Sequence, residues 1–169
     1  MKLIELSKKG KNKGKYFAMV DDEDFDWLNK FSWHVVINKT NNTIYASRSV
    51  RDNGKTQSFF MHREILKLDN ANIFADHIDR NGLNCQKLNL RHSTNSQNQM
   101  NRISVKDTTS KYKGVSWHKR SRKWDCRICC KGEIYNLGTF KKEIDAALAY
   151  NTKAIELHGE FALLNSIQY

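Results

Sequence analysis

The sequence predicts a modular α+β protein with a small N-terminal β unit, a central unit of two strands and a helix, and a C-terminal three-stranded antiparallel sheet packed on one helix. Short runs with period-two alternation recur along the chain, and such alternation is typical of half-buried strands. A longer stretch that starts at Ile144 instead has apolar residues at helical spacing, and it reaches a glycine at Gly159. Glycine commonly ends a helix, so one long C-terminal helix is expected.

Four segments follow from these patterns: residues 1–61, 62–101, 102–110 and 111–169. The stretch before residue 111 is rich in Asn, Arg, Ser, Lys and Thr and has no apolar periodicity. Because such a stretch cannot bury a face against a core, residues 102–110 are interpreted as a linker.

The N-terminal segment contains most of the strand signals. Predicted strands cover Tyr16–Val20 and residues 32–37, 43–50 and 56–61, and Asn53-Gly54 marks the turn before the last of them. An acidic run at residues 21–26 predicts a short helix that ends near Phe31, because carboxylates stabilise a helix N-terminus. We interpret this run as a solvated helix start rather than as a metal site. Residues 62–66 are expected to be helical.

The central segment holds the most specific pattern. Asp76 and His77 are followed by Asn89, twelve positions after the histidine, and by Asn98, nine positions later. Hydrolysis of a phosphodiester needs a group that takes a proton from water, and histidine can do so near neutral pH. A carboxylate and an amide oxygen can hold a hard divalent cation such as Mg²⁺ or Mn²⁺. Asn81-Gly82 predicts a hairpin-type turn.

Each of these residues, taken alone, also has an ordinary structural explanation. An isolated Asp-His pair usually lies on a surface, and Asn commonly forms turns. The joint spacing is what favours a nuclease.

That order and spacing resemble the HNH endonuclease family, in particular its phage and intron homing branch. The resemblance implies a ββα-metal unit with one Mg²⁺ or Mn²⁺ per active site. It implies that His77 is the general base, that Asn89 orients it, and that Asp76 and Asn98 are the metal ligands. Asn stands where the family name has its final His, and an oxygen donor suits magnesium better than zinc. Similar lead-in segments in phage HNH proteins imply that Arg63 contacts the phosphate backbone.

The C-terminal segment combines a predicted sheet with concentrated positive charge. Residues 110–132 carry eight Lys and Arg residues against Asp125 alone, whereas residues 133–169 carry three basic and five acidic residues. Trp124, Cys126 and Ile128 alternate with polar positions, as expected for a half-buried strand. A basic sheet face interleaved with aromatic residues is what a β-ribbon reader of DNA requires.

Residues 111–165 also resemble the APETALA-type (ethylene-response-factor) DNA-binding domain, through Tyr-Lys-Gly-Val, Leu-Gly-Thr-Phe and Ala-Ala-Leu-Ala-Tyr-Asn. In that family the sheet lies in the major groove. The plant proteins have Arg at three positions occupied here by Ser116, His118 and Cys129, so their recognition sequence cannot be carried over. The positions that the resemblance implies for DNA contact are Lys113, Ser116, His118, Arg120, Arg122, Arg127 and Asn136. Arg102, in the linker, is expected to contact phosphate.

Composition supports a polyanionic partner. The 169-residue chain has a formal net charge of +11 and a pI near 9.6, as expected for a protein that binds double-stranded DNA. No apolar run reaches membrane-spanning length, and no signal-peptide core is present at the N-terminus. We therefore expect no membrane partner and a cytoplasmic location, in a bacterial host cell if the gene belongs to a phage.

The sequence as a whole predicts a metal-dependent HNH DNA endonuclease, with homing or mobile-element activity as the favoured biology. One active site per chain indicates nicking by a monomer, with double-strand cleavage by a dimer or by sequential nicks. Two alternatives stay open: a DNA-binding regulator whose HNH unit is catalytically silent, and a restriction-type endonuclease.

Overall fold

A computed structural model describes residues 1–39, 42–102 and 109–167. The chain forms two compact units, Met1–Asn95 and Ser96–Tyr169. The first unit contains three small antiparallel sheets and two short helices, and the second contains one three-stranded antiparallel sheet and a 16-residue helix. The predicted modular α+β fold class is confirmed. Within the described residues, no helix is both long enough and apolar enough to cross a membrane.

The first unit contains three small sheets. Strands β1 (Lys2–Leu6) and β2 (Tyr16–Val20) form an antiparallel pair and are followed by helix α1 (Asp22–Leu28). Strands β3 (His34–Ile37), β4 (Ile44–Asp52) and β5 (Lys55–Phe60) form a second sheet in that order. Helix α2 (Met61–Ile65) then leads to the third sheet, in which β6 (Phe74–His77) pairs with β7 (Leu90–Ser93).

These sheets share one hydrophobic core. Ile4 and Val20 of the first sheet pack in the same buried cluster as Ala46, Met61 and Leu90. The core therefore runs across the predicted segment boundary at residues 61 and 62. The segment boundaries themselves stay predictions, and most of the predicted linker, residues 103–108, lies outside the described residues.

Most predicted strands of this unit agree with the structure to within about two residues. The exception is β1, which has no counterpart among the predicted strands. Asn53 and Gly54 form a two-residue turn between β4 and β5, both with positive φ (46° and 77°). This is the geometry that an Asn-Gly hairpin favours.

The second unit is a sheet backed by a helix. Helix α3 (Asn95–Met100) comes first, and strands β8 (Val115–His118), β9 (Lys123–Cys130) and β10 (Glu133–Phe140) then form an antiparallel sheet in the order β10-β9-β8. Helix α4 (Glu143–His158) packs on this sheet and is followed by Gly159 with φ 53°. The predicted sheet, helix and glycine stop are confirmed.

The core of this unit lies between α4 and one face of the sheet. Val115, Cys126 and Ile128 of the strands pack with Ala147 and Tyr150 of the helix. The buried positions of β9 alternate with exposed ones, as the period-two pattern predicts. The opposite face of the sheet is therefore exposed within this unit.

Candidate active site

The site centres on two adjacent residues of β6. Asp76 and His77 are both buried, with 5% and 6% of their surface exposed. In the β6–β7 pair, Asp76 lies opposite Arg91 and His77 lies opposite Leu90. Buried ionisable side chains are uncommon unless they are paired. Two of them next to each other therefore mark a candidate active site.

Asp76 is held by a guanidinium. Arg91 donates from Nε and Nη2 to the same carboxylate oxygen of Asp76, Oδ2, at 2.9 and 2.7 Å. The two side chains are 12% and 6% exposed, so the ion pair is largely withdrawn from water. The antiparallel register of a four-residue strand pair creates this contact, which the linear sequence does not display.

His77 lies against other rings. The ring of His62 meets it edge-on, with 4.9 Å between centroids, and the ring of Tyr45 lies 6.0 Å away. Phe60 stacks on His62 at 5.5 Å, and Tyr45 also contacts His62 at 5.5 Å. We call Tyr45, Phe60 and His62 the ring cluster. Packed rings leave His77 few alternative rotamers, so its imidazole is held in one place.

Burial keeps both histidines neutral. Loss of solvation lowers the pKa of His77 to about 4, although the negative charges of Asp79 and Asp76 act in the opposite direction. Loss of solvation lowers the pKa of His62 to about 3, and the charge that His77 gains on protonation and the charge of Arg63 act in the same direction. An unprotonated imidazole at neutral pH is the form that can accept a proton.

Asn89 organises the loop that follows His77. Its Nδ2 donates to Asp79 Oδ1 at 2.9 Å and to the Asn84 carbonyl at 2.8 Å, and its Oδ1 accepts from the Asp79 backbone N–H at 3.0 Å. Partial burial raises the pKa of Asp79, but hydrogen bonds from Asn84, Asn81 and Asn89 outweigh it and hold that pKa below its ordinary value. Asn89 therefore fixes the loop and the anionic Asp79.

The predicted hairpin-type turn at Asn81-Gly82 is wrong. Strands β6 and β7 are joined by residues 78–89, a longer loop that contains a 3₁₀ turn at Lys87–Asn89. Gly82 serves a different purpose, because a Cβ there would lie 2.3 Å from the Ile44 carbonyl and 2.7 Å from the Tyr45 ring. Glycine lets the loop pass directly over the tyrosine of the ring cluster.

The same loop is fastened to the N-terminal sheet and helix. Met19 of β2 donates to the Leu83 carbonyl and accepts from the Cys85 N–H, each at 2.8 Å. The Asp21 carboxylate accepts from the backbone N–H of Lys87 at 2.8 Å, and the Lys87 ammonium pairs with Asp24 at 3.2 Å. The acidic run is thus more than a solvated helix start, because it holds the loop of the candidate site.

The site of the first unit contains one of the two predicted metal ligands, Asp76. Asp76 provides a carboxylate, and Mg²⁺ is usually bound through one or two carboxylates while it keeps waters and phosphate oxygens as its other ligands. In this structure the Arg91 guanidinium forms an ion pair with that carboxylate. Among the described residues there is no cluster of three or more His, Cys, Asp or Glu side chains, and magnesium does not require one.

Comparisons with known proteins identify the family to which the chain belongs. An uncharacterized HNH endonuclease of Acanthamoeba polyphaga mimivirus is 32% identical over 165 residues, which cover 95% of this chain and 80% of that protein. The chain belongs to the HNH endonuclease family. Protein 3.8 of Escherichia phage T7 is 36% identical over 89 residues, 53% of this chain and 73% of that protein. No protein-family model matches the chain.

Three further predictions concern Asn98, Arg63 and Arg102. Asn98 is half-buried on α3 and belongs to the second unit, so its role as metal ligand stays a prediction. Arg63 donates to the carbonyls of Leu68, Asn70 and Ile73 at 2.8 to 3.1 Å and so shapes the loop after α2. Its predicted contact with phosphate stays a prediction, as does that of the exposed Arg102.

The other predicted DNA-contacting residues lie on or beside the exposed face of the C-terminal sheet. Most of them are exposed: Ser116, His118, Arg120, Arg122, Arg127 and Asn136. Lys113 is half-buried, and its ammonium donates to the carbonyls of Met100 and Arg102. The His118 ring lies 2.8 Å from the Ser121 hydroxyl through Nδ1. Their role in DNA binding stays a prediction.

Sequence patterns did not identify four residues of the candidate site. Arg91, His62 and Tyr45 contact Asp76 or His77, and Asp79 is held by Asn89. His62 and Tyr45 lie 15 and 32 positions from His77 along the chain. Only Arg91 could have been found from nearby sequence. If Asp76 lies on one of two short antiparallel strands, some residue of the other strand must lie opposite it.

Proposed function

We propose that this chain is a metal-dependent DNA endonuclease of the homing or mobile-element kind, which hydrolyses a phosphodiester with a water activated by His77. The observation that supports this best is the buried His77 beside the buried carboxylate of Asp76 in a member of the HNH endonuclease family. The names of the two viral relatives favour neither a silent regulator nor a restriction enzyme.

His77 acts as the general base in this proposal. Because burial keeps its imidazole neutral at pH 7, a ring nitrogen is available to accept the proton of the attacking water. The ring cluster fixes the direction in which the imidazole faces. Asn89 acts indirectly: it holds Asp79, whose negative charge stabilises the imidazolium that forms when the proton arrives.

One Mg²⁺ or Mn²⁺ would be held by the Asp76 carboxylate and, by the family resemblance, by the Asn98 amide oxygen. When bound, the ion supplies positive charge to the phosphate and to the departing 3′ oxygen. The residues of the chain orient the ligands: Arg91 fixes the Asp76 carboxylate through two hydrogen bonds to one oxygen. Both proposed protein donors are oxygen atoms, which suits a hard cation.

DNA binding is assigned to the basic face of the C-terminal sheet, as the APETALA-type resemblance implies. The exposed guanidinium groups of Arg120, Arg122 and Arg127 would contact double-stranded DNA, and Arg63 and Arg102 would add phosphate contacts. Since each chain holds one Asp-His pair, a monomer would nick one strand, and a dimer or sequential nicks would cut both.

Cleavage of supercoiled plasmid tests this function. We expect nicked and then linear DNA with Mg²⁺ or Mn²⁺, complete loss with EDTA, restoration on adding excess Mg²⁺, and little effect of a zinc-selective chelator. The Asp76→Asn variant is expected to bind the plasmid and leave it intact. Cleavage that survives full chelation would contradict a metal mechanism.

A further inference from the structure

Arg91 places a fixed positive charge at the carboxylate proposed to hold the metal. Its Nε and Nη2 both donate to Oδ2 of Asp76, at 2.9 and 2.7 Å. Neither partner is more than 12% exposed, so water screens the pair only weakly. As long as this contact persists, one carboxylate oxygen of Asp76 is occupied by a guanidinium.

A buried ion pair of this kind is a costly way to stabilise a fold. Desolvation of both charges offsets much of their mutual attraction, and an apolar pair of similar size often serves stability as well or better. The pair does keep Asp76 compensated when no other cation is present. The ion pair between Arg91 and Asp76 therefore serves the function of the site rather than the stability of the core.

The charge of Arg91 also acts on any divalent cation at Asp76. Two cations a few ångströms apart repel each other, by an energy that grows as the local dielectric constant falls. A metal at Asp76 together with Arg91 leaves the site with an excess of positive charge. A DNA phosphate brings the negative charge that offsets this excess, because it can bind both the metal and the guanidinium.

We propose that Arg91 is a positioning residue that makes metal loading of Asp76 depend on DNA. It keeps the carboxylate oriented and neutralised in the free protein, and it weakens metal binding until a phosphodiester enters the site. Metal and DNA then bind cooperatively, which restricts a loaded active site to the DNA complex. This inference rests on the proposed function, since it takes Asp76 as a metal ligand.

The test measures Mn²⁺ binding rather than cleavage. The full-length His77→Ala protein, which should bind DNA without cutting it, serves as the parent, and Mn²⁺ is titrated by calorimetry in the absence of DNA. Adding Arg91→Gln removes the charge but keeps a hydrogen-bond donor, and we expect Mn²⁺ to bind about tenfold more tightly than to the parent. Adding Arg91→Lys keeps the charge and should leave binding as weak as in the parent.

Arg48 offers a matched control. Its guanidinium is also partly buried and pairs with Glu64 at 2.8 Å in the same unit, with side-chain exposures of 20% and 16%. Arg48→Gln in the same parent should leave Mn²⁺ affinity unchanged. Equal Mn²⁺ affinities in the Arg91→Gln variant and the parent, or equal increases from Arg91→Gln and Arg48→Gln, would overturn the inference.

A second measurement needs no change at Arg91. If DNA strengthens Mn²⁺ binding, Mn²⁺ must strengthen DNA binding by the same factor. The affinity of the parent for a labelled 30-base-pair duplex should rise with Mn²⁺ by more than it does in a variant that also carries Asp76→Asn. An equal rise in both would show that Mn²⁺ acts on the DNA alone and would overturn the inference.

The two failures can be told apart. Failure of Mn²⁺ to bind at Asp76 even with the duplex present, judged against Asp76→Asn, would remove the proposed metal-dependent function along with the inference. Binding at Asp76 that is equally tight with and without DNA, and indifferent to Arg91→Gln, would leave the proposed function in place and remove the inference alone.

Discussion

The two units of the molecule differ in what they bury. Around β6 the first unit withdraws Asp76, His77, His62 and most of Arg91 from water. In the second unit the core between α4 and the sheet is built mainly from aliphatic and aromatic side chains. The basic residues of that unit are mostly exposed. Buried charge serves chemistry, because low dielectric strengthens its interactions, whereas exposed charge serves encounter with a polyanion.

The largest effect is expected from removing His77, the proposed general base. His77→Ala should lower the cleavage rate by about 10²- to 10⁴-fold and leave DNA affinity nearly unchanged, because a positioned base contributes to rate rather than to binding. Single-turnover cleavage and fluorescence anisotropy measure the two quantities. His92→Ala, at an exposed position of β7, is the matched control and should cleave normally. Cleavage by the His77→Ala variant at the wild-type rate would contradict the assignment of the chemistry to the buried site of the first unit.

The second unit is expected to show the opposite pattern. Changing Arg120, Arg122 and Arg127 together to Ala should weaken DNA binding and reduce the slope of log K against log salt by about 0.9 for each DNA phosphate that these arginines neutralise. The cleavage rate at saturating DNA should be retained. Anisotropy titrations at several salt concentrations measure the slope.

Three lysines beside or on α4 form a control with the same change of charge. Changing Lys141, Lys142 and Lys153 to Ala should reduce the slope much less, because they do not lie on the exposed face of the sheet. If both triple variants weaken binding equally, affinity depends on overall charge and the sheet is not the reader.

One glycine in each unit, Gly82 and Gly114, allows the two units to be compared by the same substitution, with a smaller expected effect. Each lies against a tyrosine: a Cβ at Gly82 would fall 2.7 Å from the Tyr45 ring, and one at Gly114 would fall 2.1 Å from the Tyr150 ring. We expect Gly82→Ala to cost about 1–3 kcal/mol of unfolding free energy. Its cleavage rate should also fall, because Tyr45 contacts His77.

Gly114→Ala should destabilise the protein at least as much, since Gly114 also has a positive φ of 75°. It should weaken DNA binding but leave the cleavage rate at saturating DNA intact. Urea unfolding and single-turnover cleavage separate the two outcomes. A normal rate for Gly82→Ala, or a large loss of rate for Gly114→Ala, would contradict this division.

The last comparison concerns pH. The folded pKa values of His77 and His62, about 4 and about 3, lie below the ordinary histidine value of 6.5. Above pH 6.5 both residues are neutral whether the chain is folded or not, so they add no pH dependence. Between pH 6.5 and 4 the unfolded chain binds protons that the folded chain does not. The free energy of unfolding therefore decreases as the pH is lowered from 6.5 to 4, by up to about 1.4 kcal/mol per pH unit for each histidine.

His62→Phe isolates one of these two contributions. The aromatic replacement keeps a ring beside Phe60 and removes one protonation site, so the unfolding free energy should decrease less steeply than in the parent as the pH is lowered. Urea titrations between pH 7 and 4.5 measure the difference. Identical slopes in parent and variant would show that His62 is not kept neutral by burial.

Local pattern was enough to identify most secondary structure and the residues at the centre of the site. The alternation in β9 and the helical spacing in α4 predict those elements, because each pattern reports which face of one element is buried. The spacing of Asp76, His77 and Asn89 likewise reflects two short strands and the loop between them, all within residues 74–93. Such features depend on neighbours in the chain.

Contacts between distant segments were decided by the tertiary structure. His62 and Tyr45 reach His77 only because α2 and β4 share a core with β6, and Asp21 holds Lys87 across 66 positions. The Asn81-Gly82 pair predicts a hairpin turn, yet the loop instead follows the surface of Tyr45. A sequence determines which side chains prefer burial or a turn. Which partners they meet depends on how several small sheets share one core, and no local period records that.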